Sequence, residues 1–377
     1  MLWRLLFAAF GCLTPAALYA CPFCTTLAPT LAQRRDAADA ALLAELVADA
    51  GDALEIRVHR ALKAPAELAA KDVIEMKSPA ADDRRHLPGA LLLALGARRP
   101  ARAAAEFSWS CVWLNEAGFA YVARLPAGKL PTVERLPYFV KYFEHADPLL
   151  AADAYLEFGH APLDEIEKLA ARLPVERLRG WLLDEATPPE RKGLYGLLVG
   201  LAAQAQGRHE VSVDFWRLIA AQENDFRAGF DGVLAGYLWL EEDAGLARLQ
   251  TRYLDNPRAA VGDLRHFAAA LRVYHDYGRG IARDELLRVY RRLLERPVIA
   301  AAAADDLRRW GDWQALDQVW SMFGRPDYRD PLIERSVIAY LLACPLPAAA
   351  RHVDRLRKLV PERVAEEERQ TGGGDGQ

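Results

Sequence analysis

Asp330-Pro-Leu-Ile-Glu-Arg-Ser-Val-Ile-Ala-Tyr-Leu-Leu-Ala-Cys-Pro-Leu-Pro347 is echoed upstream by Asp147-Pro-Leu-Leu150, Ala154-Tyr-Leu156 and Pro162-Leu163. In both copies the opening Asp-Pro-Leu and the closing Pro-Leu stand fifteen positions apart, 147 to 162 and 330 to 345. The spacing predicts one helical hairpin used twice. Such a unit cannot bury its apolar face alone, so its neighbours are expected to stack into a continuous core that offers a long surface to a partner.

Between and beyond the two copies, residues 147–362 read as a train of helices. Turn signals recur at Ala161-Pro162, Leu173-Pro174, Thr187-Pro-Pro189, Asn256-Pro257, Arg296-Pro297 and Cys344-Pro345. Proline is tolerated in a first helical turn because its missing N–H would be unpaired there. Thr187-Pro-Pro-Glu190 has the form of a capping box. Leu194, Leu197, Leu198 and Leu201 then keep amphipathic spacing, as do Leu286, Leu287, Tyr290, Leu293 and Leu294, and Ile333, Val337, Tyr340, Leu341 and Cys344. About twelve helices joined by short turns follow, each antiparallel to its neighbour. Residues 363–377 are charged and then glycine-rich, ending Thr371-Gly-Gly-Gly-Asp-Gly-Gln377, and are expected to form a disordered tail.

Upstream the period changes to two. Leu54, Ile56 and Val58 alternate with polar residues, as do Ile74 and Met76, and Gly89-Ala-Leu-Leu-Leu-Ala-Leu95 suits a central strand. Residues 107–114 and 119–125 flank Asn115-Glu-Ala-Gly118, which reads as a hairpin turn between two strands. Five or six strands within residues 21–125 predict a small antiparallel barrel or sandwich. Residues 126–146 begin proline-rich and are expected to be a linker followed by a docking helix from Tyr138 to His145. The fold class expected is therefore α+β, a small β-domain followed by an all-α repeat domain.

The chain has 377 residues, 52% of them hydrophobic, and a formal charge of -4. That balance gives no basic footprint for nucleic acid. Residues 1–20 read as a secretory leader, with Arg4, an apolar core and Leu18-Tyr-Ala20 before Cys21. Export to a periplasmic or extracellular compartment follows, where disulfides persist. Leu18, Ala20 and Cys21 also half-match a lipobox, and a membrane association is expected only if Cys21 is lipidated.

Cys21-Pro-Phe-Cys24 is the sharpest motif. A Cys-Pro-x-Cys loop at a helix start can hold a thiolate and exchange disulfides, yet such loops follow an anchoring strand and nothing precedes Cys21 after cleavage. A structural disulfide, redox exchange, lipidation and metal binding are the readings open to it. Cys21, Cys24 and Cys111 are the disulfide candidates, with Cys111 centred in Trp109-Ser-Cys-Val-Trp113 as a partner for one of the other two. Cys344 falls on the apolar stripe of its helix and reads as a buried thiol. The eight histidines are scattered, with no His-x-x-x-His pair. Trp310, Trp313 and Trp320 share a helical face by spacing, and core packing is the favoured reading over an exposed stacking face. No catalytic residue, cofactor or metal ligand is assigned.

The order of leader, Cys-Pro-Phe-Cys, a short-strand domain with Arg60-Ala-Leu-Lys-Ala64, and the two Asp-Pro-Leu segments resembles a group of uncharacterised secreted bacterial proteins. The N-terminal part is similar, more distantly, to netrin-like and tissue-inhibitor-of-metalloproteinases domains. That resemblance implies a small barrel of the oligonucleotide-binding (OB) type with the mature N-terminal cysteine tied to it. The start Cys21-Pro-Phe-Cys24 departs from the Cys-x-Cys common in that family. The helical part resembles HEAT-like repeats, which implies an α-solenoid that binds a protein partner. The function expected is a scaffold without catalysis. The alternatives are a thiol-disulfide oxidoreductase acting through Cys21 and Cys24, and a netrin-like protease inhibitor.

Overall fold

The computed structural model of the chain describes residues 28–69, 71–77, 86–99, 107–221 and 227–372. The residues expected to form a leader, Cys21, Cys24 and residues 373–377 lie outside these. The fold is α+β, a five-stranded antiparallel sheet followed by a long run of helices.

A capping box between Thr30 and Gln33 starts helix α1 (Leu31–Ala37). The strands are β1 (Ala40–Asp49), β2 (Ala53–Lys63), β3 (Val73–Lys77), β4 (Leu91–Arg98) and β5 (Phe107–Leu114), in the spatial order β3-β2-β1-β4-β5. A short helix, α2 (Ala66–Ala69), joins β2 to β3. Strand β1 is central because its apolar run, Ala40 to Ala44, is buried on both faces. Alternate residues feed two different cores. Ala41, Leu43, Leu93 and Leu95 face the helices. Leu42, Leu46, Ile56, Ile74, Met76 and Leu92 fill the inside of the curl, with Phe107, Trp109 and Trp113 packed against them. Three register shifts between β1 and β2 bend the sheet in this direction.

The expected hairpin after β5 is not formed. Asn115 instead caps helix α3 (Glu116–Ala123), accepting from the Gly118 N–H at 2.8 Å, so residues 119–123 are helical rather than extended. A side chain that can satisfy a free N–H three residues on starts a helix as readily as it makes a turn. Here Tyr121 and Val122 find their burial on the helical face.

Within residues 126–146 the helix α4 runs over Thr132–Val140 rather than from Tyr138 to His145 as expected, with Leu136 and Phe139 fully buried. Pro137 lies inside it and cannot donate to the Val133 carbonyl. The Arg172 guanidinium donates to that oxygen instead, at 3.3 Å.

The helices that follow are α5 (Pro148–Gly159), α6 (Leu163–Glu167), α7 (Val175–Leu183), α8 (Pro189–Ala205) and α9 (Ser212–Ala220). Next come α10 (Phe230–Tyr253), α11 (Val261–Tyr277), α12 (Arg283–Arg292), α13 (Pro297–Arg309) and α14 (Leu316–Met322). The last are α15 (Pro331–Ala343), α16 (Pro347–Leu359) and α17 (Pro361–Gly372). Residues 363–372, expected in the tail, thus belong to a helix whose Val364 is buried.

The two Asp-Pro-Leu segments begin α5 and α15 in the same way. Asp147 accepts from the Leu149 N–H and Asp330 from the Leu332 N–H, each at 2.9 Å, with proline at the first helical position. The Thr187 capping box does not form. Pro188 occupies the cap position, offers no side-chain oxygen, and leaves Thr187 buried one residue too early.

Helices α8 and α10 approach unusually closely. Gly193, Gly196 and Gly200 face Gly229, Gly232 and Gly236, and a Cβ placed on Gly200 would lie 2.1 Å from the Gly236 carbonyl oxygen. Further along, α10 packs on α11, α11 on α13, α13 on α15 and α15 on α17, while α12, α14 and α16 pack against their chain neighbours. One continuous core runs from the helix-facing side of the sheet to Val364.

Candidate functional site

A cleft of about 650 Å³ crosses α11, α13, α15 and α17. Its floor follows from helical spacing. On α11, Ala268 and Ala269 lie between Arg265 and Arg272, one residue three to four positions from the next. On α13, Ala301 and Ala302 precede Asp305 and Arg308. On α15, Ser336 and Ala339 continue the stripe, with Leu332 and Arg335 at its edge. Small side chains on three adjacent helices leave a trough, and long charged ones form its rim.

The rim is held from behind by a buried network. The Arg272 Nε donates to both oxygens of Asp306 at 2.8 and 2.9 Å, and the Tyr290 hydroxyl donates to the same carboxylate. Burial raises the Tyr290 pKa, and the Asp306 charge adds to this, so the phenol keeps its proton. A carboxylate pinned by two donors fixes the guanidinium that reaches over the cleft. Ser336 donates to Asp305 at 3.1 Å, and Arg335 pairs with Glu367 at 2.8 Å. Burial raises the Asp305 pKa against the lowering effect of the Ser336 bond.

A second polar cluster ties the start of the described chain to the helices. Asp153 and Glu157, one turn apart on α5, are both buried. Asp153 accepts from the Leu31 N–H at 2.7 Å and from the Tyr121 hydroxyl at 2.6 Å. Glu157 pairs with Arg135 at 3.3 Å, and His160 reaches the Ala28 carbonyl at 3.0 Å. Burial raises both carboxyl pKa values despite these bonds. Every partner here is structural, so the cluster works as a clamp on residues 28–31.

Of the sequence candidates, Cys111 is half-buried on β5 opposite Ala94, on the inner side of the curl. Its proposed partners Cys21 and Cys24 fall outside the described residues. Cys344 caps α15 and is buried. The three tryptophans do not share one helical face, because Gly311 adopts a left-handed conformation (φ 68°) and ends α13 after Trp310. Each packs separately, Trp310 on His275 and Tyr290, Trp313 on Tyr340, and Trp320 on His352 and Phe323. Among the described residues no three His, Cys, Asp or Glu side chains converge as a metal site.

Sequence reasoning passed over the cleft arginines and the glycine ladder. Their signals were present: Gly193, Gly196 and Gly200 repeat the 3-then-4 spacing of Gly229, Gly232 and Gly236, and small residues recur at helical spacing on α11 and α13. Comparison of the chain with protein-family models, with curated proteins and with solved structures returned no match.

Proposed function

We propose that the chain is an exported interaction protein: a small netrin-like, OB-type β-domain followed by an α-solenoid whose trough binds a protein partner. The helical reading is supported by the way every second helix packs on the next but one, from α11 through α13 and α15 to α17. These helices begin at Val261, Pro297, Pro331 and Pro361, which are 36, 34 and 30 residues apart. That period is shorter than the roughly 40–47 residues of HEAT units and nearer the 34 of simple helix pairs. The β reading is supported by the edge strands β3 and β5, which approach one another as the sheet curls.

The observation that carries the function is the trough itself, a large concave strip of small side chains with a charged rim. Thiol-disulfide exchange and protease inhibition both rest on Cys21 and Cys24, outside the described residues.

Filling the trough tests this reading. Ala302 is exposed on the floor, so Ala302→Phe should leave thermal stability unchanged. Wild-type protein immobilised in the native envelope fraction should retain a partner that Ala302→Phe does not. Equal retention by both proteins would count against the trough as the binding surface.

A further inference from the structure

Charge commitments within the trough differ sharply from residue to residue. Each lining carboxylate is engaged by a group other than Arg265 or Arg308: Asp305 by Ser336, Asp330 by the Leu332 N–H, and Glu367 by Arg335. Arg265 is exposed and makes no hydrogen bond or ion pair among the described residues. Arg308 comes no nearer than 3.9 Å to Asp305, and its Nε is buried without a hydrogen-bond partner. Its terminal nitrogens make no hydrogen bond among the described residues, so a ligand anion can engage them.

The spacing of these two cations constrains the ligand. Arg272 bonds Asp306, and four residues further along α11 Asp276 pairs with Arg309, so α11 and α13 advance in the same direction. Arg265 lies seven residues before Arg272, roughly 10 Å along the axis, and Arg308 two residues beyond Asp306, about 3 Å. The two arginines therefore leave their helices about 13 Å apart along the trough. An extended peptide rises about 3.3 Å per residue, so this span matches about four residues. Positions i and i+4 of an extended chain point the same way.

We infer that the trough takes an extended acidic peptide segment, with carboxylates four residues apart received by Arg265 and Arg308 and with the chain passing over the small residues between them. This rests on the interaction reading above and names its ligand class. The pinned Arg272 offers a third donor between the two ends, already oriented by Asp306, which lowers the ordering cost of binding.

Fluorescence anisotropy on the full-length protein tests it with three labelled octapeptides: one with two glutamates four positions apart, its double-glutamine counterpart, and one with the glutamates adjacent. The spaced-acid peptide should bind about tenfold or more tighter than the other two, and more weakly as salt rises. Arg265→Gln and Arg308→Gln should each remove about tenfold of that affinity without lowering the melting temperature. Equal binding of the glutamine peptide, equal binding of the adjacent-acid peptide, or indifference to both substitutions would overturn the inference. Charge-independent binding that Ala302→Phe abolishes would overturn the acidic specificity yet leave the trough as an interaction surface. No binding of any peptide, together with partner retention by Ala302→Phe, would remove both.

Discussion

Asp153 and Glu157 show how a single pair of side chains can be legible as residues and illegible as a device. Their positions in Asp153-Ala-Tyr-Leu-Glu157 suggest an ordinary solvated face, yet both are buried and hold the Leu31 N–H, the Tyr121 hydroxyl and Arg135. Burial raises both pKa values, so over the range above the ordinary carboxylate values the folded chain binds protons that the unfolded chain has released. The stability these groups contribute is fully present below the unfolded pKa and is lost as pH rises through the raised folded values. Asp153→Asn keeps an acceptor for Leu31 and removes the buried charge. The advantage of wild type over this variant in urea midpoint should therefore shrink as pH rises from about 4 to about 7. An advantage that grows over that interval would mean that the charge itself is stabilising. Nothing in the local sequence could have announced this, because the burial comes from α1 and α3, more than twenty residues away.

Elements were read well where the signal is short-range and poorly where two local solutions compete. The Asp147 and Asp330 caps follow from a side chain and an N–H two residues apart, and they form alike in both copies. Asn115 uses the same chemistry, but its sequence suits a turn equally well, and the packing of Tyr121 decides for the helix. The contact between α8 and α10 shows the limit of propensity. Glycine in a helix interior costs roughly 1 kcal/mol relative to alanine. A Cβ on Gly180, inside α7, would meet nothing within 4 Å, whereas a Cβ on Gly236 would lie 2.1 Å from the Gly196 carbonyl oxygen. The same substitution should therefore act with opposite signs. Gly180→Ala should stabilise by about 0.5–1 kcal/mol, and Gly236→Ala should destabilise by about 1–3 kcal/mol as the helices are forced apart. Urea unfolding of both variants reads the difference directly, and a stabilising Gly236→Ala would mean that the helices separate at no cost.

At the scale of the molecule, the sheet and the helices share one core, since Leu43, Leu93 and Leu95 belong to the same buried cluster as Phe139, Phe143 and Leu150. A fragment ending at residue 125 keeps all five strands but loses α4 and α5, leaving those leucines and Tyr121 uncovered. It should self-associate or lack fixed near-ultraviolet dichroism, and a monodisperse, cooperatively folding fragment would show instead that the sheet is stable without the helices. The sequence by itself determined the α+β division, the alternation that gives each strand two faces, the starts of α5 and α15, and the apolar stripes of α8, α12 and α15. Those features are governed by atoms a few residues apart, so local order suffices to specify them. Tertiary structure alone decided that six glycines meet, that Asp306 pins Arg272, and that Arg265 and Arg308 line one trough. Each of these depends on which distant helix lies alongside, and burial and charge pairing acquire their energies only from that neighbour.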